Sequence, residues 1–162
     1  MRNPPLKTLG CTMVLPDRIL RTWKPREQQI FPAEAVVLPI ATWAAADILK
    51  DRDVICFIDN EAAAAAAIRG DSSQPDVQVI IQAAHLLWMR LGVRMWLEWI
   101  DSDSNPADGL SRLGVADPWS SLQGWELREE KAPPWESVPG RPDVLAAELS
   151  RHWADGGLVT LG

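Results

Sequence analysis

Tyrosine is absent from this chain, and phenylalanine, cysteine and histidine occur only twice each. Cys11 and Cys56 are too few for a disulfide framework or a cysteine-built metal site. His85 and His152 stand far apart, which argues against zinc. No apolar run approaches the roughly 20 residues that span a bilayer, so no membrane partner is expected. Met1 to Thr8 carries Arg2 and Lys7 with no apolar stretch behind them, so a secretory leader is not expected and an intracellular chain is. An excess of positive charge is also missing. The formal net charge is -6, and phosphate recognition calls for clustered Lys and Arg.

What is present suits one soluble domain. The 162 residues are 47% hydrophobic and 23% charged, enough apolar material for a core. Nine tryptophans supply aromatic area to core and surface without indicating a particular chemistry. The acidic excess is uneven. Residues 1–112 hold 12 basic and 14 acidic side chains, a balance of -2, whereas residues 113–162 hold 4 and 8, a balance of -4. Against this trend Arg18, Arg21, Lys24 and Arg26 cluster around Trp23. They read either as a solvated face or as a strip that contacts a nucleic-acid backbone.

Pattern and punctuation predict the elements. Cys11–Leu15 and Ile19–Trp23 read as a hairpin of two strands divided by Pro16-Asp17. Pro32 suits a first helical position, and Val36, Val37, Ile40, Trp43 and Ala44 predict an amphipathic helix from Ala33 to about Lys50, bent at Pro39. The continuous apolar run Val54–Ile58, ended by Asp59-Asn60, predicts a strand buried on both faces. In that run Cys56 reads as a small buried hydrophobe. Glu61–Arg69, with six consecutive alanines, predicts a helix stopped by Gly70. Pro75–Leu91 predicts a second helix closed by Gly92, and Val93–Ile100 a further strand. Asn105 is placed to cap a short helix whose first position is Pro106. From residue 113 onward, prolines and tryptophans predict an irregular tail with one possible helix from Pro142 to Trp153. Taken together, the order predicts an α/β layer structure, with a domain over 1–112 and the tail over 113–162.

Three acids stand at chemically useful places. Glu34 opens the first long helix, Asp59 ends a buried strand, and Asp108 lies in Asn105-Pro106-Ala107-Asp108 after another strand. In an open sheet the carboxyl ends of strands and the adjoining helix ends converge on one edge. Clustered carboxylate oxygens select Mg²⁺ or Mn²⁺. Each acid also has a purely structural explanation: Glu34 and Asp108 as first-turn acids that favour a helix dipole, and Asp59-Asn60 as a turn and cap.

Phe57-Ile58-Asp59-Asn60, the alanine-rich helix with Arg69-Gly70, and Asn105-Pro106-Ala107-Asp108-Gly109-Leu110-Ser111-Arg112 together resemble the ribonuclease H portion of retroelement reverse-transcriptase polyproteins. The pair of motifs is similar to that of tyrosine-recombinase-type and related long-terminal-repeat retrotransposons. Arg26–Ile30 before the helix and Glu98-Trp99-Ile100 at the end of a strand fit the same order, so the resemblance covers about residues 10–112. It implies a ribonuclease H-like mixed sheet flanked by helices. It further implies a nuclease (a hydrolase) that cuts RNA in RNA–DNA hybrids with two Mg²⁺ or Mn²⁺ ions. Glu34, Asp59 and Asp108 match three of the four carboxylates that serve as catalytic groups and metal ligands. The fourth, on a first strand ahead of residue 11, has no counterpart, since residues 1–9 contain no acid; Asp17, Asp101 and Asp103 are the stand-ins. The resemblance therefore implies an N-terminally truncated and impaired enzyme, with a strand missing from the sheet, or alternatively a non-catalytic remnant that binds nucleic acid or protein.

Overall fold

A computed structural model describes residues 7–131 apart from Thr22 and the side chain of Arg18. The helix expected from Pro142 to Trp153 lies outside the described residues. Four short strands and seven helices follow one another as β1 (Leu9–Thr12), α1 (Asp17–Leu20), α2 (Ile30–Ala44), α3 (Ala46–Leu49), β2 (Asp53–Ile58), α4 (Glu61–Arg69), α5 (Pro75–Leu91), β3 (Arg94–Trp99), α6 (Asp108–Leu113), α7 (Pro118–Leu122) and β4 (Glu126–Glu129). The class is α/β. The strands pair as two separate parallel ladders, β2 with β3 and β1 with β4; among the described residues they do not form the single mixed sheet expected.

Local signals account for the middle of the chain. Asn60 caps α4 by accepting from Ala63 N–H at 2.9 Å, and Gly70 ends it in the left-handed region at φ 70°, where glycine avoids a Cβ clash. Gly92 closes α5 in the same way at φ 65°. The carbonyl of Leu91 accepts from Asp51 N–H, and Arg94 N–H donates to the carbonyl of Arg52. These bonds start the β2–β3 ladder, whose register runs from Asp53 opposite Arg94 to Ile58 opposite Trp99.

The core forms between α2 and α5, over one face of that ladder. Val77, Ile80, Ile81, Ala84 and Trp88 from α5 meet Pro32, Ala35, Val36, Leu38, Pro39 and Ile40 from α2, and all are buried. Full burial of each large side chain contributes about 1.5–3 kcal/mol. α2 runs through Pro39, whose ring is buried in this core. Nearby, Thr42 Oγ1 donates to the carbonyl of Leu38 and accepts from Trp88 Nε1 at 2.9 Å, which satisfies a buried hydroxyl and an indole together.

Four expectations need correction. The hairpin does not form. Asp17–Leu20 is a single helical turn whose amides at Ile19 and Leu20 reach back to the carbonyl of Pro16. Ile19 and Trp23, four residues apart as on one helix face, are both buried. The long helix stops at Ala44 rather than Lys50, because Ala45 leaves helical geometry (ψ 17°) before the short α3. β2 is not covered on both faces. Val54, Cys56 and Ile58 face the core, but Ile55 and Phe57 are 65% and 60% exposed. Cys56 is accordingly half-buried, and that burial pushes its thiol above its ordinary value. Finally, the stretch after Arg112 is regular as far as residue 129. α7 is capped by Asp117, and β4 pairs with β1 from Leu9 opposite Glu126 to Thr12 opposite Glu129.

Among the described residues no helix is long and apolar enough to cross a membrane.

Candidate functional site

Because β2 and β3 run parallel, their carboxyl ends lie at one edge of the ladder. Asp59 follows Ile58 at the end of β2. The segment after β3 continues that edge as a 3₁₀ turn (Ser102–Ser104), Asn105 and then α6, which begins at Asp108, two residues later than expected from Pro106. Ile100 N–H donates to the carbonyl of Ile58 at 3.0 Å, which carries the pairing to the residue before Asp59.

Glu34, on α2, lies near enough to this edge to feel the negative charge of Asp59. The Glu34 carboxyl is held above the usual carboxylate range, first by its burial in α2 against the core and second by the negative charge of Asp59. A half-buried acid beside a second negative charge is a place where a cation would be favourable. The Asp59 carboxylate is itself tethered, because its Oδ2 accepts from Asn105 Nδ2 at 2.8 Å.

Asp108 is differently placed. Its Oδ2 pairs with Arg112 Nε at 2.9 Å, one helical turn on, and Ser111 Oγ donates to its backbone carbonyl. Among the described residues no three His, Cys, Asp or Glu side chains stand close enough to hold a metal ion. Asp101, one of the stand-ins, is committed to capping the 3₁₀ turn, accepting from the N–H and the hydroxyl of Ser104. Asp103 is exposed in the same turn, and Asp17 lies in the first turn of α1.

The basic strip is divided. Arg26 turns inward, its Nη2 donating to Asp76 Oδ1 at 2.8 Å and its Nη1 to Gln29. Asp76 also accepts from Lys24 N–H and Val77 N–H. Burial pushes the Asp76 carboxyl up, but these donors outweigh it and hold the group below its ordinary value. Arg21 and Lys24 are exposed and are available to an anionic partner.

Two residues escaped the reading of the sequence. Asn105 reads as a helix cap in the sequence, and in the structure its amide also donates to Asp59. Arg112, the last residue of the motif, is the partner of Asp108. The spacing of four between Asp108 and Arg112 was a visible signal; nothing local pointed from Asn105 to Asp59.

Comparison with family models, with curated proteins and with solved structures finds no match.

Proposed function

We propose that this chain is a ribonuclease H-like module of retroelement origin, built for two-metal hydrolysis of RNA in RNA–DNA hybrids and impaired in that activity. The observation that carries the reading is Asp59 at the carboxyl edge of a parallel ladder, its charge helping to raise the carboxyl of Glu34. Asn105, from the Asn105–Arg112 motif, is bonded to Asp59. The donor chemistry fits hard divalent cations, since every candidate ligand is a carboxylate. When bound, Mg²⁺ or Mn²⁺ eases deprotonation of a water and neutralises charge on the phosphodiester.

The chain's own residues would divide the work. Glu34 and Asp59 would be the carboxylates that hold a cation, which would offset the repulsion felt by Glu34. Asp108 would serve as a ligand only if freed from Arg112; an ion pair of this kind contributes about 0–1 kcal/mol. Arg21 and Lys24 are suited to backbone phosphates, which position a hybrid without reading its sequence. The engagement of Asp108 by Arg112 is the reason the activity is proposed as impaired.

A second reading has its own support. The net charge of -6 and the engagement of Asp108 by Arg112 both favour a non-catalytic remnant that serves as a nucleic-acid or protein interaction domain. Cleavage of an end-labelled RNA–DNA hybrid in Mn²⁺ separates the two. The nuclease reading expects slow cutting of the RNA strand that disappears in both Asp59→Asn and Asp108→Asn. Cleavage that persists unchanged in both variants would sink it.

A further inference from the structure

Asn105 makes two side-chain hydrogen bonds of opposite sense. Its carbonyl oxygen accepts from Ala107 N–H at 3.0 Å, a local bond that shapes the turn leading to Asp108. Its amide donates to Asp59 Oδ2 at 2.8 Å, a bond between residues 46 positions apart. Turn-capping alone does not call for asparagine, because aspartate and serine cap comparably well through an oxygen. Aspartate would cap with no donor left and serine has only a short hydroxyl, whereas asparagine caps with its oxygen and still offers an amide N–H. That donor is spent on a carboxylate, where a charge-assisted bond is roughly twice as strong as a neutral one.

We infer that Asn105 is a positioning residue. It holds one oxygen of Asp59 so that the other is presented to a cation shared with Glu34, and it ties the placement of Asp59 to the turn that delivers Asp108. The inference rests on the cation-binding reading above and adds to it a residue that the metal would not touch. Without the tether, Asp59 must give up side-chain rotation when it takes up a metal. With it, that ordering precedes binding. An outer partner of a metal-binding carboxylate typically changes metal affinity by about 10–100-fold when removed.

The test is calorimetric titration of Mn²⁺ into the full 162-residue chain as wild type, Asp59→Asn and Asn105→Ala, with folding checked by circular dichroism. Wild type is expected to bind, Asp59→Asn to lose that binding, and Asn105→Ala to stay folded and bind about 10–100-fold more weakly. A purely structural Asn105 would lower the melting temperature of Asn105→Ala and leave the affinity of the folded protein unchanged. That result, with Asp59→Asn still defective, overturns the role of Asn105 alone. Equal Mn²⁺ affinity in wild type and Asp59→Asn removes the cation site and the inference with it. A measurement on wild type covers the case in which Asn105→Ala fails to fold. In a Mg²⁺ titration followed by ¹⁵N NMR, the Asn105 side-chain amide resonances should move along the same binding curve as the backbone of Asp59. If the backbone moves and the Asn105 amide does not, the inference is overturned.

Discussion

The two sides of the β2–β3 ladder are built from similar residues and treated in opposite ways. On the inner side Val54, Cys56 and Ile58, with Met95 and Leu97, pack against the α2–α5 layer. On the outer side Ile55, Phe57 and Trp96 lie open, Trp96 at 65% exposure. An ion pair accompanies each side. Arg26–Asp76 lies by the helices, with the Asp76 side chain 7% exposed. Arg94–Asp53 sits on the outer side, with both partners largely in water. Parallel ladders are ordinarily covered on both faces, so the outer side departs from the norm while the inner side obeys it. The contrast teaches that hydrophobicity alone does not say which face of a strand is core; a layer must be there to receive it.

The sharpest way to break this comparison is a matched pair of truncations. Ile80→Ala, in the α5 core at 0% exposure, is expected to cost about 2–5 kcal/mol in urea unfolding. Ile55→Ala on the outer side should stay within about 0.5 kcal/mol of wild type. Comparable losses in the two variants would mean that the outer face is packed after all.

The ion pairs give the next largest effect. Asp76→Ala leaves Lys24 N–H and Arg26 without their acceptor and is expected to cost about 1.5–3 kcal/mol, whereas Asp53→Ala should cause no measurable change. The Asp76 difference should depend on pH in a defined sense. Its folded pKa is lowered, so its contribution is complete above the unfolded carboxylate value of about 3.9 and is lost as pH falls through the folded value. Denaturation curves of Asp76→Ala and wild type should therefore converge in acid. A gap that stays constant to the lowest pH would place the stabilisation in packing instead of charge.

The smallest effect concerns the site and has the opposite sign. The folded pKa of Glu34 is raised, so ionised Glu34 costs stability once pH rises above the unfolded value. Glu34→Gln is thus expected to melt slightly higher than wild type at neutral pH without added metal, and to show no advantage below the carboxylate range. Added Mn²⁺ should stabilise wild type and not the variant. A variant that melts lower at neutral pH would contradict the strain ascribed to the Glu34–Asp59 pair.

Legibility from sequence followed the range of the signal. α4 and α5 were readable to the residue, because Asn60, the alanine run, Gly70, Pro75 and Gly92 act on backbone within one turn of themselves. Leu9–Thr12 was not, because its partner is Glu126–Glu129, in a stretch that reads as irregular. The Ile19–Trp23 segment misled because β-branched and aromatic residues suit a strand, whereas Ile19 lies in the helical turn Asp17–Leu20 and both Ile19 and Trp23 are buried. In the site, Glu34, Asp59 and Asp108 stood out by position, and the structure ties Asp59 to Asn105 and Asp108 to Arg112.

By itself the sequence determined the caps of α4 and α5, the chain's acidic balance, the elements from β2 to β3 and the three carboxylates worth attention, since all of these depend on neighbours along the chain. Only the tertiary structure decided which face of β2 is core, that Asn105 belongs to Asp59, and that Arg26 directs its charge to Asp76. Hydrogen bonds and ion pairs act through a few ångströms of space, and which groups stand within that distance is set by how the layers pack.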